Sequence, residues 1–281
     1  MKYSDAVCND IWLPRRAADS AKGDYGGVLV VAGSVGYTGA PTLCARAAVR
    51  GGAGLVFLGV PGNIYEITAV KNEEAMPFPL SGDADGRLTV DALPAIRQKL
   101  ARCGVLVMGP GLGRSDDVAE LCRALAGEDK LIVADADALW ALSGDMASAK
   151  GLILTPHEGE FRRMGGEITG DRVSDAARFA EKHGCCTVLK GHETVVAWPD
   201  GEIYVNHTGN PGMATGGSGD VLAGIIGAML CQLTVRRAVR TAVWLHGRAG
   251  DIAARDHGEY GMIASDIIGA LPMAMKEITE E

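Results

Sequence analysis

Unbroken apolar runs alternate along the chain with longer stretches whose apolar residues recur at helical spacing. Residues 27–33 (GVLVVAG) form the first run, and a glycine-bearing loop then leads into an Ala-rich helix over about 40–50. LVFLGV at 55–60 predicts a second strand, and a helix over 90–103 leads into GVLVMG at 104–109. A helix over 117–126 precedes KLIVAD at 130–135, and GLILT at 151–155 and CTVLK at 186–190 are further short apolar runs. Continuous β-branched strands separated by amphipathic helices predict an α/β fold, a central, mostly parallel sheet flanked by helices on both faces. Between residues 195 and 206, VVAW and EIYVN predict a hairpin around Pro199-Asp200-Gly201. From Ser218 onward the pattern is three helices. No repeat, low-complexity linker or shift in composition marks a second domain, so residues 1–281 are expected to form one.

Composition narrows the function classes. A chain of 281 residues, 47% hydrophobic and 22% charged, can bury a large core. The 39 glycines, against only four Phe and four Trp, favour tight strand-to-helix turns over an aromatic-rich sandwich. A net charge of -8 argues against nucleic acid or an anionic membrane as the main partner. Local backbone N–H groups can still hold an anionic ligand. Seven cysteines, from Cys8 to Cys231, include no C-x-x-C pair and sit mostly in apolar stretches. They predict free thiols in a reducing, cytoplasmic compartment rather than a zinc site or a disulfide framework. The N-terminal MKYSDAVCNDIWLPRR lacks the apolar core of a signal peptide. Residues 25–45 are uncharged, but five glycines and Pro41 interrupt them, which suits a strand–loop–helix better than a membrane span.

In open parallel sheets, ligands sit beyond the carboxyl ends of the strands. Five motifs fall there: GSVGYTGA, GPGLGR, DADAL, TPHEGEF and KGHET. GPGLG lacks the full G-x-G-x-x-G spacing of a dinucleotide fingerprint, and HEGEF is not the H-E-x-x-H of a zinc protease. The stretch NPGMATGGSGDVLAG at 210–224 is the most informative. A glycine loop that runs into a helix leaves backbone N–H groups aimed outward, and with the helix dipole they make an anion site. Asp220 stands at that seam. One reading makes it a helix cap, a role for which Ser218 also offers the chemistry. The favoured reading makes it a general base that directs a substrate hydroxyl onto a bound phosphate.

Together, NPGMATGGSGDVLAG, VLKGHETVV, LTPHEGEF, GPGLG and VVAGSVGYTGAPTLCARAAVRGGAGLV resemble the ADP-dependent NAD(P)H-hydrate dehydratases, from about Leu13 to about Ala270. That family belongs to the ribokinase-like superfamily, so the resemblance implies a single-domain ribokinase-like fold. It also implies repair of hydrated NADH or NADPH, with ADP, and ATP as a second donor, supplying the phosphoryl group, together with Mg²⁺. Asp220 matches the catalytic aspartate of GGSGD, which also contacts the substrate. Ala40, Gly111, Gly113 and His157 match positions that contact the hydrated dinucleotide. Lys190, Gly191, His192, Glu193 and Thr194 match one nucleotide-binding segment. Asn210, Pro211, Gly212, Met213, Ala214, Thr215, Gly216, Gly217, Ser218 and Gly219 match the other.

Glu160 resembles the acid of the N-x-x-E element that organises Mg²⁺ through water, and it equally suits a first-turn acid favoured by the helix dipole. Asp135 and Asp137 suit either orientation of substrate or metal, or capping of the next helix. The chain departs from the family at Ala21, before Lys22-Gly23, where members commonly carry histidine. The family also implies a homo-oligomer and a functionally linked epimerase, expected here as a separate protein. Two other classes stay open: a hydroxyethylthiazole or hydroxymethylpyrimidine kinase of the same superfamily, and a nucleotide sensor that would not need Asp220.

Overall fold

A computed structural model describes residues 11–279, so Cys8 and most of the N-terminal stretch read for a signal peptide lie outside the described residues. Nine strands form one sheet in the order β3-β2-β1-β4-β5-β6-β7-β8-β9. The strands are β1 (Gly27–Val31), β2 (Leu55–Pro61), β3 (Met76–Leu80), β4 (Val105–Met108), β5 (Leu131–Ala134), β6 (Ile153–Leu154), β7 (Cys186–Leu189), β8 (Val195–Ala197) and β9 (Ile203–Val205). From β3 through β7 every neighbouring pair is parallel. Antiparallel β8 and β9 form the expected hairpin at one edge.

The continuous apolar runs have a simple cause. Along β1, Val28 and Val30 point into one core while Leu29 and Val31 point into another. Both faces are covered by helices, so no position in the strand tolerates a polar side chain. One core gathers α1 (Gly39–Arg50), α8 (Ser218–Leu230), α9 (Val235–Gly261) and α10 (Ala264–Glu277). The other gathers α3 (Leu93–Leu100), α4 (Asp116–Ala126), α5 (Asp137–Leu142), α6 (Glu158–Arg163) and α7 (Arg172–His183). Helix α8 is apolar all round because it is buried all round, wedged between α1, α9 and the sheet.

Several boundaries differ from the sequence expectation. The helix expected over 90–103 is a short turn of 3₁₀ helix followed by α3, whose start is set by Pro94. Helix α2 (Tyr65–Lys71) and strand β3 are additions. The sequence of β3, MPFPL, holds two prolines, which are tolerated because β3 is the edge strand of the sheet. The three expected C-terminal helices are present, with α9 broken at Gly258. The described cysteines are free, and among the described residues no helix is long and apolar enough to cross a membrane.

Candidate active site

The loops after β1, β4, β5, β6 and β7 converge on one rim of the sheet, where the N-terminus of α8 meets them. Gly217 is the N-cap of α8 in the left-handed region, with φ 93, and any side chain there would drive into Leu43. No side-chain cap closes this helix end. Ser218 turns its hydroxyl toward His246 Nε2, 3.2 Å away, so the capping role considered for it is not the one it takes. Asp220 is the third residue of α8, half-buried, and the capping alternative for it finds no hydrogen bond at this helix end. The helix start therefore offers unpaired amides and an uncommitted carboxylate together.

Lys190, at the end of β7, points across the rim toward this carboxylate. Its Nζ donates to Asp135 Oδ1 at 2.7 Å and lies 3.8 Å from Glu160 Oε2. A Cβ on Gly219 would lie 3.1 Å from the same Nζ, which puts the amine against the glycine loop. The Lys190 side chain is only 18% exposed, so it is not a solvated strand end. Burial alone would lower its pKa, but the Asp135 and Glu160 carboxylates outweigh that and raise it. Asp135 is buried, and Thr155 Oγ1 donates to the same Oδ1 at 2.7 Å. Asp135 does not cap α5; the N-cap there is Ala136, held at φ 48, outside the usual range for a residue with a side chain. Burial first, and the nearby charge of Asp135 second, push the Asp220 pKa up to about 7.

His157 and Glu160 lock the start of α6. His157 Nδ1 accepts from Gly159 N at 2.9 Å and from Glu160 N at 3.3 Å, while Glu160 Oε2 accepts from His157 N at 2.9 Å. Because Nδ1 accepts, the proton sits on Nε2, which lies 3.5 Å from Glu160 Oε1, and the side chain as a whole is 58% exposed. Glu160 is thus a first-turn acid of α6, with Oε2 3.8 Å from Lys190 Nζ. His157→Ala is expected to cost about 1 kcal/mol in chemical denaturation, and His157→Asn, a good cap, should restore most of it. If Ala and Asn variants are equally unstable, the cap is not what the ring supplies.

The other side of the rim is built from α1 and the loop after β4. A Cβ on Gly111 would lie 3.1 Å from Ala40 Cβ and 2.8 Å from Tyr37 Cβ, so the GYTGA and GPGLG loops touch. Ser34 Oγ donates to Gly111 O at 2.8 Å. Asp137 anchors this loop rather than capping α5: it accepts from Gly113 N at 2.9 Å and from Arg114 Nε at 3.1 Å. The Lys190–Thr194 turn closes through Thr194 Oγ1 and Gly191 O at 3.0 Å, with His192 and Glu193 exposed. Asn210 accepts from Gly212 N at 3.0 Å and caps the single turn Pro211–Met213. The loop from Met213 through Ala214, Thr215 and Gly216 then returns to Gly217 and Gly219 at the head of α8.

Three residues escaped the sequence reading. Arg172 donates to the carbonyls of Leu189 and Lys190, both at 3.1 Å, and pairs with Glu158. His246 and Asp251, on α9, hold the two ends of the 209–218 loop. None belongs to a glycine motif, and an Arg at a helix start or a polar pair within a long helix looks like solvated surface.

The chain is 45% identical to the bifunctional NAD(P)H-hydrate repair enzyme of Moorella thermoacetica, covering 96% of this chain and 53% of that one. The chain thus spans about half the length of the bifunctional relatives it first matches. It is 40% identical to the ADP-dependent (S)-NAD(P)H-hydrate dehydratase of Neisseria meningitidis, covering 94% of this chain and 90% of that one. The ADP/ATP-dependent NAD(P)H-hydrate dehydratase of Bacillus subtilis, co-crystallized with ATP and Mg²⁺, superposes with a TM-score of 0.81. It shares 32% identity over 96% of this chain and 95% of that one. The family of NAD(P)H-hydrate dehydratases matches residues 28–273, and on that match and these relatives the chain belongs to it.

Proposed function

We propose that this chain dehydrates hydrated NADH or NADPH at the expense of ADP, regenerating NAD(P)H and releasing AMP and phosphate. The observation that carries the mechanism is Asp220, a half-buried carboxylate with a pKa near 7 and no cap bond, beside the unpaired amides of the α8 N-terminus. A base with that pKa is matched to neutral pH. Asp220 takes the proton from the ring hydroxyl, and the freed oxygen attacks the β-phosphorus of ADP, with AMP as the leaving group. Amides of Gly216, Gly217 and Gly219 and the Lys190 ammonium stabilise the phosphoryl charge. The ring nitrogen then expels phosphate from the neighbouring carbon, and loss of a proton to solvent from the next ring carbon restores the conjugated dihydropyridine.

The nucleotide lies along Lys190–Thr194 and Asn210–Gly219, and the hydrated ring lies between Asp220 and the rim of Ala40, Gly111, Gly113 and His157. Among the described residues no cluster of three or more acids, histidines or cysteines forms a metal cage. Glu160, 3.8 Å from Lys190 Nζ at the rim, would hold a nucleotide-bound Mg²⁺ through water, and that ion would supply charge neutralisation. The free thiols and the NAD(P)H substrate support a cytoplasmic location. Residues 11–279 share one sheet and support a single domain. The bifunctional repair relatives support a functional link to an epimerase activity.

The test is direct. Hydrated NADH with ADP and Mg²⁺ should regain near-ultraviolet absorbance while AMP and phosphate appear in equal amounts. Below about pH 7 Asp220 is protonated and cannot act as base, so kcat/KM should fall there and reach a plateau above it. Flat absorbance while a thiazole or pyrimidine alcohol becomes phosphorylated would transfer the chain to its kinase relatives.

A further inference from the structure

Helix α9 carries a face that the reaction does not use. At about 100° per residue, His246, Gly250, Gly247, Asp251 and Trp244 share an arc of roughly 160°. The loop from Thr208 to Ser218 lies against this arc. At one end His246 Nε2–H donates to Ser218 O at 2.9 Å, on the first residue of α8. At the other, Asp251 accepts from Gly209 N at 3.0 Å and from Asn210 Nδ2 at 3.1 Å. Asn210 is thereby turned so that its own oxygen caps Gly212 N. Between the two grips, the helix presents glycine where the loop comes closest. A Cβ on Gly247 would lie 2.6 Å from the Thr208 carbonyl carbon, and one on Gly250 would lie 2.8 Å from Met213 Cγ. Thr208 Oγ1 adds a bond to Trp244 O at 3.0 Å.

We propose that this face of α9 is the positioning element for the nucleotide phosphates, with His246 and Asp251 fixing both ends of the 209–218 loop before ADP arrives. Neither side chain reaches the ligand; they are positioning residues. Burial pushes the His246 pKa down to about 4, so the ring is neutral at the working pH and acts by direction, not charge. Asp251 is a carboxylate beside an anion site, a placement that charge alone disfavours. Its two hydrogen bonds to the loop account for it. A loop whose amides are already aimed spends no ligand binding energy on ordering, which raises affinity for phosphate without adding a contact.

The inference rests on the reading that this loop holds ADP, and calorimetry with ADP and with hydrated NADH separates the two. Asp251→Ala should weaken ADP binding by about tenfold or more, and Asp251→Asn, which keeps an acceptor, by no more than about threefold. Hydrated NADH affinity should stay within about twofold in both variants. Wild-type protein that binds no ADP overturns the nucleotide reading and this inference with it. Wild-type binding with Asp251→Ala unchanged, or equal losses of both ligands, overturns this inference alone. Hydrogen exchange on the wild-type protein needs no variant. The Gly209 and Gly212 amides should exchange slowly before ADP is added, and free-peptide rates there would mean the loop is not preset.

Discussion

Asp220→Asn should lower turnover by about 10²-fold or more while leaving the affinity for ADP nearly unchanged. The amide keeps the shape of the side chain at the third position of α8 and loses only the ability to take a proton. The same substitution should make the protein more stable at pH 8. A carboxyl whose folded pKa, about 7, lies above its ordinary value of 3.8 binds its proton more tightly in the folded chain. Its contribution to stability is therefore present at low pH and is lost as pH rises through that window. Asparagine has no charge to desolvate, so the variant should melt about 2–4 °C higher at pH 8 and show little gain at pH 4. A base stored at a cost to the fold behaves this way. Near-normal turnover in the variant would return Asp220 to a structural role.

The sheet was legible in the sequence because both of its faces are buried, which turned each strand into an uninterrupted apolar run. Strand β3 was not, since Pro77 and Pro79 hide an edge strand whose missing donors need no partner. The short helices α5 and α6 leave too few residues for a period to show. At the site, what the glycine spacing revealed was backbone: the loop, the helix start, and the lone acid between them. The side-chain partners were a different matter. That Lys190 pairs with Asp135, 55 residues earlier, follows from β5 and β7 flanking β6, and no local pattern records it. The pairing also explains why Asp135 and Asp137, two residues apart, do different things. One turns inward to Lys190, the other outward to the Gly113 amide.

Lys190→Met should produce the second large effect, and its readouts divide the roles of this residue. With the ammonium gone, Asp135 is left in a buried position with Thr155 as its remaining hydrogen-bond donor. Breaking a buried pair from one side costs about 3 kcal/mol, visible as a lower midpoint in denaturation. Adding Asp135→Asn removes the stranded charge, so Lys190→Met/Asp135→Asn should recover most of that loss. ADP affinity should not recover, because the cation beside Gly219 is still missing. The pH profile gives a third reading. Lys190 lowers the Asp220 pKa and Asp135 raises it, the latter more strongly. The inflection in kcat/KM should therefore move above pH 7 in Lys190→Met and return toward or below 7 in the double variant. Should the double variant regain both stability and ADP affinity, Lys190 serves the fold alone and the phosphate charge is met entirely by the amides of the glycine loop.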